Sequence, residues 1–304
     1  MFVQQVKKGI SLMACSFLAL GLAACSNTDT SNEPISILCP TGAPALSLLG
    51  TWDLENVSVE YVDGSDILTS ELAKEDGEYD IIVAPTNVGA KVYGESESYN
   101  LEAVLTWGNL YLVGQEGTDL STASIAAFGQ NAVPGLVFNQ VEDPSLNVTW
   151  YSSVQEAQQA LLTNQQQVAL LAQPVAAATI AKAKENGKEL TVLQDLQKLW
   201  QEKTNSEDAG YPQASLFVKS GEEEKVEAVL DAVEEYVEEA DEKTLTSTID
   251  DIGAEVLGVP NTQIAVKTWN AQNIRYVQGN DAKEDIEDFL AVFHMELPDG
   301  LIVE

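Results

Sequence analysis

The chain has 304 residues, and 15 basic side chains stand against 48 acidic ones for a net charge of −33. That surplus excludes nucleic acid and anionic lipid headgroups as partners, because both are held through basic patches. One histidine and three cysteines leave no His/Cys set for a zinc site, and a chain of this size buries enough core to need no disulfide.

At the start, Lys7 and Lys8 precede a run of about a dozen mostly apolar residues, too short to cross a bilayer as a helix. The run ends at Leu22-Ala23-Ala24-Cys25, and the stretch that follows, SNTDTSNE, is small and polar. The tetrad resembles the bacterial lipobox, in which the cysteine thiol takes a diacylglycerol and becomes the new N-terminus. The expectation is a lipoprotein signal peptide over 1–24, lipidation at Cys25 and a flexible tether over 25–33. The alternative is a plain secretory peptide with a chance cysteine. Loss of the leader removes two lysines and no acid, so the body becomes more acidic still.

Short β-branched segments then alternate with helical ones. ISILC (35–39), VSVEYV (57–62) and YDIIVAP (79–85) read as strands, with helices over 43–50 and 66–75 between them. LEAVLTWGNLYLVGQ (101–115) exceeds one ordinary strand, and Gly108 divides it, so it is expected to leave one sheet and enter another. A second series follows: a helix near 120–128, strands at 136–138 and 148–152, a helix over 154–164, a strand over 167–174, a helix over 175–187 and a strand at 190–193. ASLFVKS (214–220) opens a third block. The acidic helix expected over 222–243 carries Val226, Val229, Leu230, Val233 and Val237 on one face. TQIAVKTWN, the strand NIRYV (273–277) and an amphipathic helix over 285–295 close the chain.

This order predicts an α/β fold of two lobes, each a mostly parallel sheet flanked by helices, joined by a two-stranded hinge. The first lobe is expected over 34–112, the second over 113–210, and the return segment over 211–304 completes the first. Ligands of such sheets bind beyond the carboxyl ends of the strands.

Those ends are polar. Pro40-Thr41-Gly42 and Pro85-Thr86-Asn87 each turn a strand into a helix, and Gln173-Pro174 does the same in the second series. Helix N-termini with Thr hydroxyls and an Asn amide can hold an anion, or they can be simple caps. Trp107 with Asn109, and Trp150 with Tyr151, offer aromatic walls for a flat ligand or serve as core packing. Gln213 falls where the chain returns to the first lobe. Asn273 and Arg275 share one side of their strand. Arg275, the sole arginine, either holds an anionic ligand or forms an internal salt bridge.

Taken together, the lipobox, PTGAPA, DIIVAPTNVGA, TWGNLYLV, PQASLFV and NIRYV resemble the solute-binding lipoproteins of bacterial ABC importers, in the class related to nitrate, sulfonate, taurine and thiamine-precursor binding proteins. The resemblance covers most of the chain beyond the leader. It implies the type II periplasmic-binding-protein fold, hinge closure on a small organic solute, and delivery to an ABC permease with its ATPase. It further implies a monomer without a cofactor on the outer face of the cytoplasmic membrane, touching that membrane through its lipid anchor alone. Relatives often carry an arginine two residues before the asparagine of NIRYV. Ala271 stands there instead, so an anionic ligand is not carried over from the class. The competing readings are an extracellular enzyme, for which no nucleophile elbow, P-loop or paired-cysteine motif is present, and a sensor or adhesion partner.

Overall fold

The computed structural model describes residues 4–5 and 33–303. Cys25, the leader apart from 4–5, and the tether apart from residue 33 lie outside the described residues.

The strands form a seven-stranded and a five-stranded sheet. The larger contains β1 (Gln4–Gln5), β2 (Ile35–Pro40), β3 (Val57–Val62), β4 (Ile81–Pro85) and β5 (Tyr99–Thr106), completed by two strands from the end of the chain. The smaller contains β6 (Leu110–Gly114), β7 (Ser124–Phe128), β8 (Asn147–Tyr151), β9 (Val168–Ala172) and β10 (Thr191–Asp195). The late strands β11 (Ala214–Lys219) and β12 (Ile274–Gln278) return to the larger sheet, giving the orders β1-β3-β2-β4-β11-β5-β12 and β10-β6-β9-β7-β8.

Both sheets are mixed, which corrects the mostly parallel arrangement expected. β2 pairs in parallel with β3 and β4, whereas β11 lies antiparallel between β4 and β5. In the smaller sheet β7 pairs in parallel with β8 and β9, whereas β6 is antiparallel to β9 and β10. The reason is topological. Strands within each series end where the chain crosses over, so β6 and β11, which arrive from the other sheet, must enter from that end and run backwards.

Alternation along the strands buries both faces of each sheet. On one face of the larger sheet, Ile37, Val83, Leu105 and Leu216 pack under α1 (Ala43–Ser47), α8 (Glu223–Glu239) and α9 (Glu242–Ile252). On the other, Leu38, Ile82, Val104 and Phe217 meet α2 (Asp66–Leu72) and α3 (Thr86–Ser96). In the smaller sheet, Leu110, Leu112, Ile125 and Leu170 face α4 (Val133–Val141) and α7 (Leu196–Thr204). Tyr111, Val113, Ala169 and Leu171 face α5 (Val154–Leu162) and α6 (Val175–Glu185). The short α10 (Thr262–Lys267) leads into β12. The last helix, α11 (Lys283–Val292), serves both bodies: Ile286 and Leu290 enter the core of the larger sheet and Phe289 that of the smaller.

Three local expectations change. The helix expected near 120–128 is instead β7, whose SIAAF fits between β8 and β9. The strand expected at 136–138 lies inside α4, because Pro134 starts a helix whose buried side carries Val137 and Phe138. The acidic helix ends at Glu239, and Asp241 accepts from Thr244 N to cap a separate α9.

Candidate functional site

The two sheets are joined by 107–109, leaving β5 for β6, and by 205–213, returning from α7 to β11. These crossings are tied together. Tyr211 N donates to the Trp107 carbonyl at 3.1 Å and Gln213 N to the Thr106 carbonyl at 2.9 Å. Glycine is required on both sides of this approach. A Cβ on Gly108 (φ +83°) would lie 2.6 Å from the Tyr211 ring, and one on Gly210 (φ +130°) would overlap the Trp107 carbonyl oxygen. Gln197 of α7 clips the first crossing: its amide accepts from Leu110 N at 2.8 Å and donates to Leu110 O at 3.0 Å. Behind the crossings, Tyr211 stacks on Phe289 of α11 with centroids 5.8 Å apart and packs against Trp200.

The strand ends of the larger sheet converge on this junction. At the end of β4, Thr86 is fully buried, its hydroxyl 2.8 Å from that of Ser215 and its N–H on the Gln213 carbonyl at 3.2 Å. At the end of β2, Thr41 donates its hydroxyl to Asp63 at 2.9 Å, and Gly42 N donates to the Leu257 carbonyl at 2.8 Å. From the smaller sheet, Gln173 N donates to the Asn109 carbonyl and Asn109 Nδ2 returns a bond to the Gln173 carbonyl at 3.1 Å. The Gln173 side chain itself accepts from Ala177 N in α6.

A set of buried polar atoms around the crossings has no hydrogen-bond partner: Asn87 Oδ1, Thr106 Oγ1, Asn109 Oδ1, Gln213 Oε1, Trp107 Nε1 and Tyr211 Oη. Unpaired buried polar atoms are rare in folded proteins because each costs about 1–3 kcal/mol. Their concentration at one junction makes that junction the candidate functional site.

Of the other expected site residues, Trp150 and Tyr151 sit apart from this set, while Arg275 and Asn273 adjoin it at Trp107. Trp150 packs edge-on against Phe138, with centroids 6.1 Å apart, and Tyr151 Oη accepts from Gln166 at 3.3 Å. Both belong to β8, the edge strand farthest from the crossing strand β6. Arg275 pairs with Asp208 at 2.9 Å and lies over Trp107, the internal salt bridge of the two sequence alternatives. Asn273 donates to the carbonyls of Trp107 at 2.6 Å and Ala209 at 3.1 Å, so it holds both crossings together.

Sequence reasoning passed over Thr106, Tyr111, Tyr211 and Ser215. The glycine beside Tyr211 was the one local signal available. Tyr111 Oη donates to the Ala271 carbonyl at 2.8 Å, a contact from the smaller sheet to the turn before β12. Burial raises the Tyr111 phenol well above its ordinary pKa, and nearby Asp195 adds to the shift, so it stays a neutral donor. Among the described residues no group of three His, Cys, Asp or Glu side chains is placed to hold a metal, and no helix is long and apolar enough to cross a membrane.

No family model matches the sequence, and no curated protein is similar to it in sequence. Solved structures share its fold. An ABC transporter protein of Parabacteroides distasonis is 21% identical with a TM-score of 0.75, covering 90% of this chain and 99% of its own. A putative periplasmic sulfonate-binding protein of Methylobacillus flagellatus is 11% identical with a TM-score of 0.64, covering 90% and 92%. The periplasmic aliphatic sulphonate-binding protein of Escherichia coli is 12% identical with a TM-score of 0.57, covering 86% and 92%. The chain thus has the two-sheet fold of periplasmic binding proteins of ABC importers, in agreement with the resemblance drawn from its motifs.

Proposed function

We propose that the chain is a non-catalytic solute-binding protein that encloses a small organic molecule at the junction of its two sheets and passes it to an ABC permease and its ATPase. The observation that carries this reading is the set of unpartnered buried polar atoms gathered at the crossings, where strand ends of both bodies meet. The binding-protein fold supports it, since ligands of open α/β sheets sit beyond the strand ends and closure of two lobes sequesters them. In this reading Asn87, Thr106, Asn109 and Gln213 contact the solute, while Thr86, Gln173 and Asn273 hold those residues in place. Lipidation of Cys25 keeps a monomer on the outer face of the membrane, beside its permease.

The test is thermal unfolding of the full-length chain in mild detergent, with native mass spectrometry of any co-purified small molecule. A solute at 100 times its Kd adds about 2.7 kcal/mol of stability. Failure of every sampled solute to bind, with none co-purified, would overturn the reading.

A further inference from the structure

We infer that the solute is an uncharged molecule offering both N–H donors and carbonyl acceptors, of the carboxamide, urea or lactam class, and not a sulfonate or carboxylate. This rests on the solute-binding reading above and specifies its cargo.

The argument begins with which groups are unused. Backbone bonds bring four residues to one place: Thr86 N reaches the Gln213 carbonyl, Gln213 N reaches the Thr106 carbonyl, and Asn109 stands three residues beyond Thr106. Asn87 follows Thr86 directly. Thr106 is fully buried and Asn109 is 3% exposed, yet each keeps a polar side-chain atom without a partner, as do Asn87 and Gln213. Neither end of the Asn87 or Gln213 amide makes a hydrogen bond, so exchanging oxygen and nitrogen in either leaves the argument intact. Two free amides and a hydroxyl offer both donors and acceptors.

None of these four residues carries a charge. The only arginine gives Nη1 to Asp208 and its face to the Trp107 ring, and its Nε is left without a partner beside the crossings. No lysine occupies the strand-to-helix turns at 40–43, 62–66, 85–88, 128–133, 151–154 or 172–175. Of the backbone donors at the two Pro-Thr turns, Gly42 N is taken by the Leu257 carbonyl and Thr86 N by the Gln213 carbonyl. A net charge of −33 adds a repulsive field for any anion. A cation finds no carboxylate among Asn87, Thr106, Asn109 and Gln213 to pair with directly. A buried ion without a partner is costly, whereas a neutral amide pairs with both ends of Asn87 and Gln213.

The experiment uses the full-length chain and matched probes of near-equal shape: nicotinamide against nicotinate, and benzamide against benzenesulfonate, with hydantoin added. Thermal unfolding reads binding, and equilibrium dialysis against a small-molecule extract of the producing cells, followed by native mass spectrometry, reads the charge of whatever is retained. The expected result is that neutral members raise Tm, their anionic counterparts do not, and any retained molecule is neutral. Asn87→Ala and Gln213→Ala should each weaken binding about tenfold or more. An anionic ligand, from either source, overturns this inference and leaves the solute-binding role standing. No shift with any probe and nothing retained overturns both.

Discussion

The guanidinium carbon of Arg275 lies 4.5 Å from the centroid of the Trp107 ring. Both residues were candidates for the ligand site, and the structure joins them to each other at the crossing between the sheets. The cause is the pairing of Ile274 with Thr106, which sets the following residues of β12 and the first crossing side by side.

Arg275→Ala should lower stability by about 1–2 kcal/mol. A cation–π contact near the surface contributes about 0.5–1 kcal/mol. The ion pair adds at most about 1, because Asp208 is 75% exposed and screened by water. Urea denaturation checks the magnitude. A loss above about 3 kcal/mol would mean that the guanidinium does more than these contacts explain.

Asn273 occupies the left-handed region, at φ 52°, while its side chain bonds both crossings. Two effects of substitution therefore separate. Asn273→Ala should cost about 2–3 kcal/mol, from the lost bonds and from about 1 kcal/mol of left-handed strain. Asn273→Gly removes the same bonds without that strain and should be about 1 kcal/mol more stable than the alanine variant. Equal stabilities for the two would show that strain is not part of the cost.

Phe289 is fully buried on a helix whose neighbouring residues belong to the other core. Phe289→Ala should cost about 3–5 kcal/mol. Hydrogen exchange should quicken in α7 and the return crossing, where Trp200 and Tyr211 lose their partner, and stay slow in β2 and β4. Uniform loss of protection in both sheets would mean that they unfold as a single unit.

Acid should act in two opposite ways. Burial raises the carboxyl pKa of Glu102, Glu142 and Asp285. These groups cost stability when charged, and that cost fades as pH falls through their raised values. Burial also pushes Asp80 upward, but Lys225 at 2.5 Å and the Ser36 N–H and hydroxyl outweigh it, so its folded pKa is lowered. Its contribution is present above the unfolded pKa of about 3.9 and is lost as pH falls through the folded value. Stability should therefore rise as pH falls through the raised carboxyl values and fall below about pH 4, where Asp80 loses its charge. Denaturation at each pH should show a shallower acid limb for Asp80→Asn than for the unaltered chain.

Much of the fold is written locally. The βαβ rhythm of 35–85, the apolar stripe of the acidic helix and the break at Gly108 follow from periodicity and turn chemistry, which neighbouring residues set. Pro-Thr after a strand likewise pointed to Thr86 and Asn87 from their own segment. Where packing outweighs local pattern, the reading fails: an apolar run at 136–138 fits a strand or a buried helix side equally, and Pro134 tips it to helix in the folded chain. Whether Arg275 meets a ligand or Asp208, and whether Thr106, Tyr211 and Gln213 keep free polar atoms, depends on pairings between segments distant in the chain, 67 residues apart for Arg275 and Asp208. Such contacts leave no period in the sequence. The sequence by itself thus determined most of the elements, their order and the acidic field around them. Only the tertiary structure decided which strands run backwards, which polar groups are consumed by the crossings and which are left without a partner, because those choices depend on which distant backbone groups satisfy one another first.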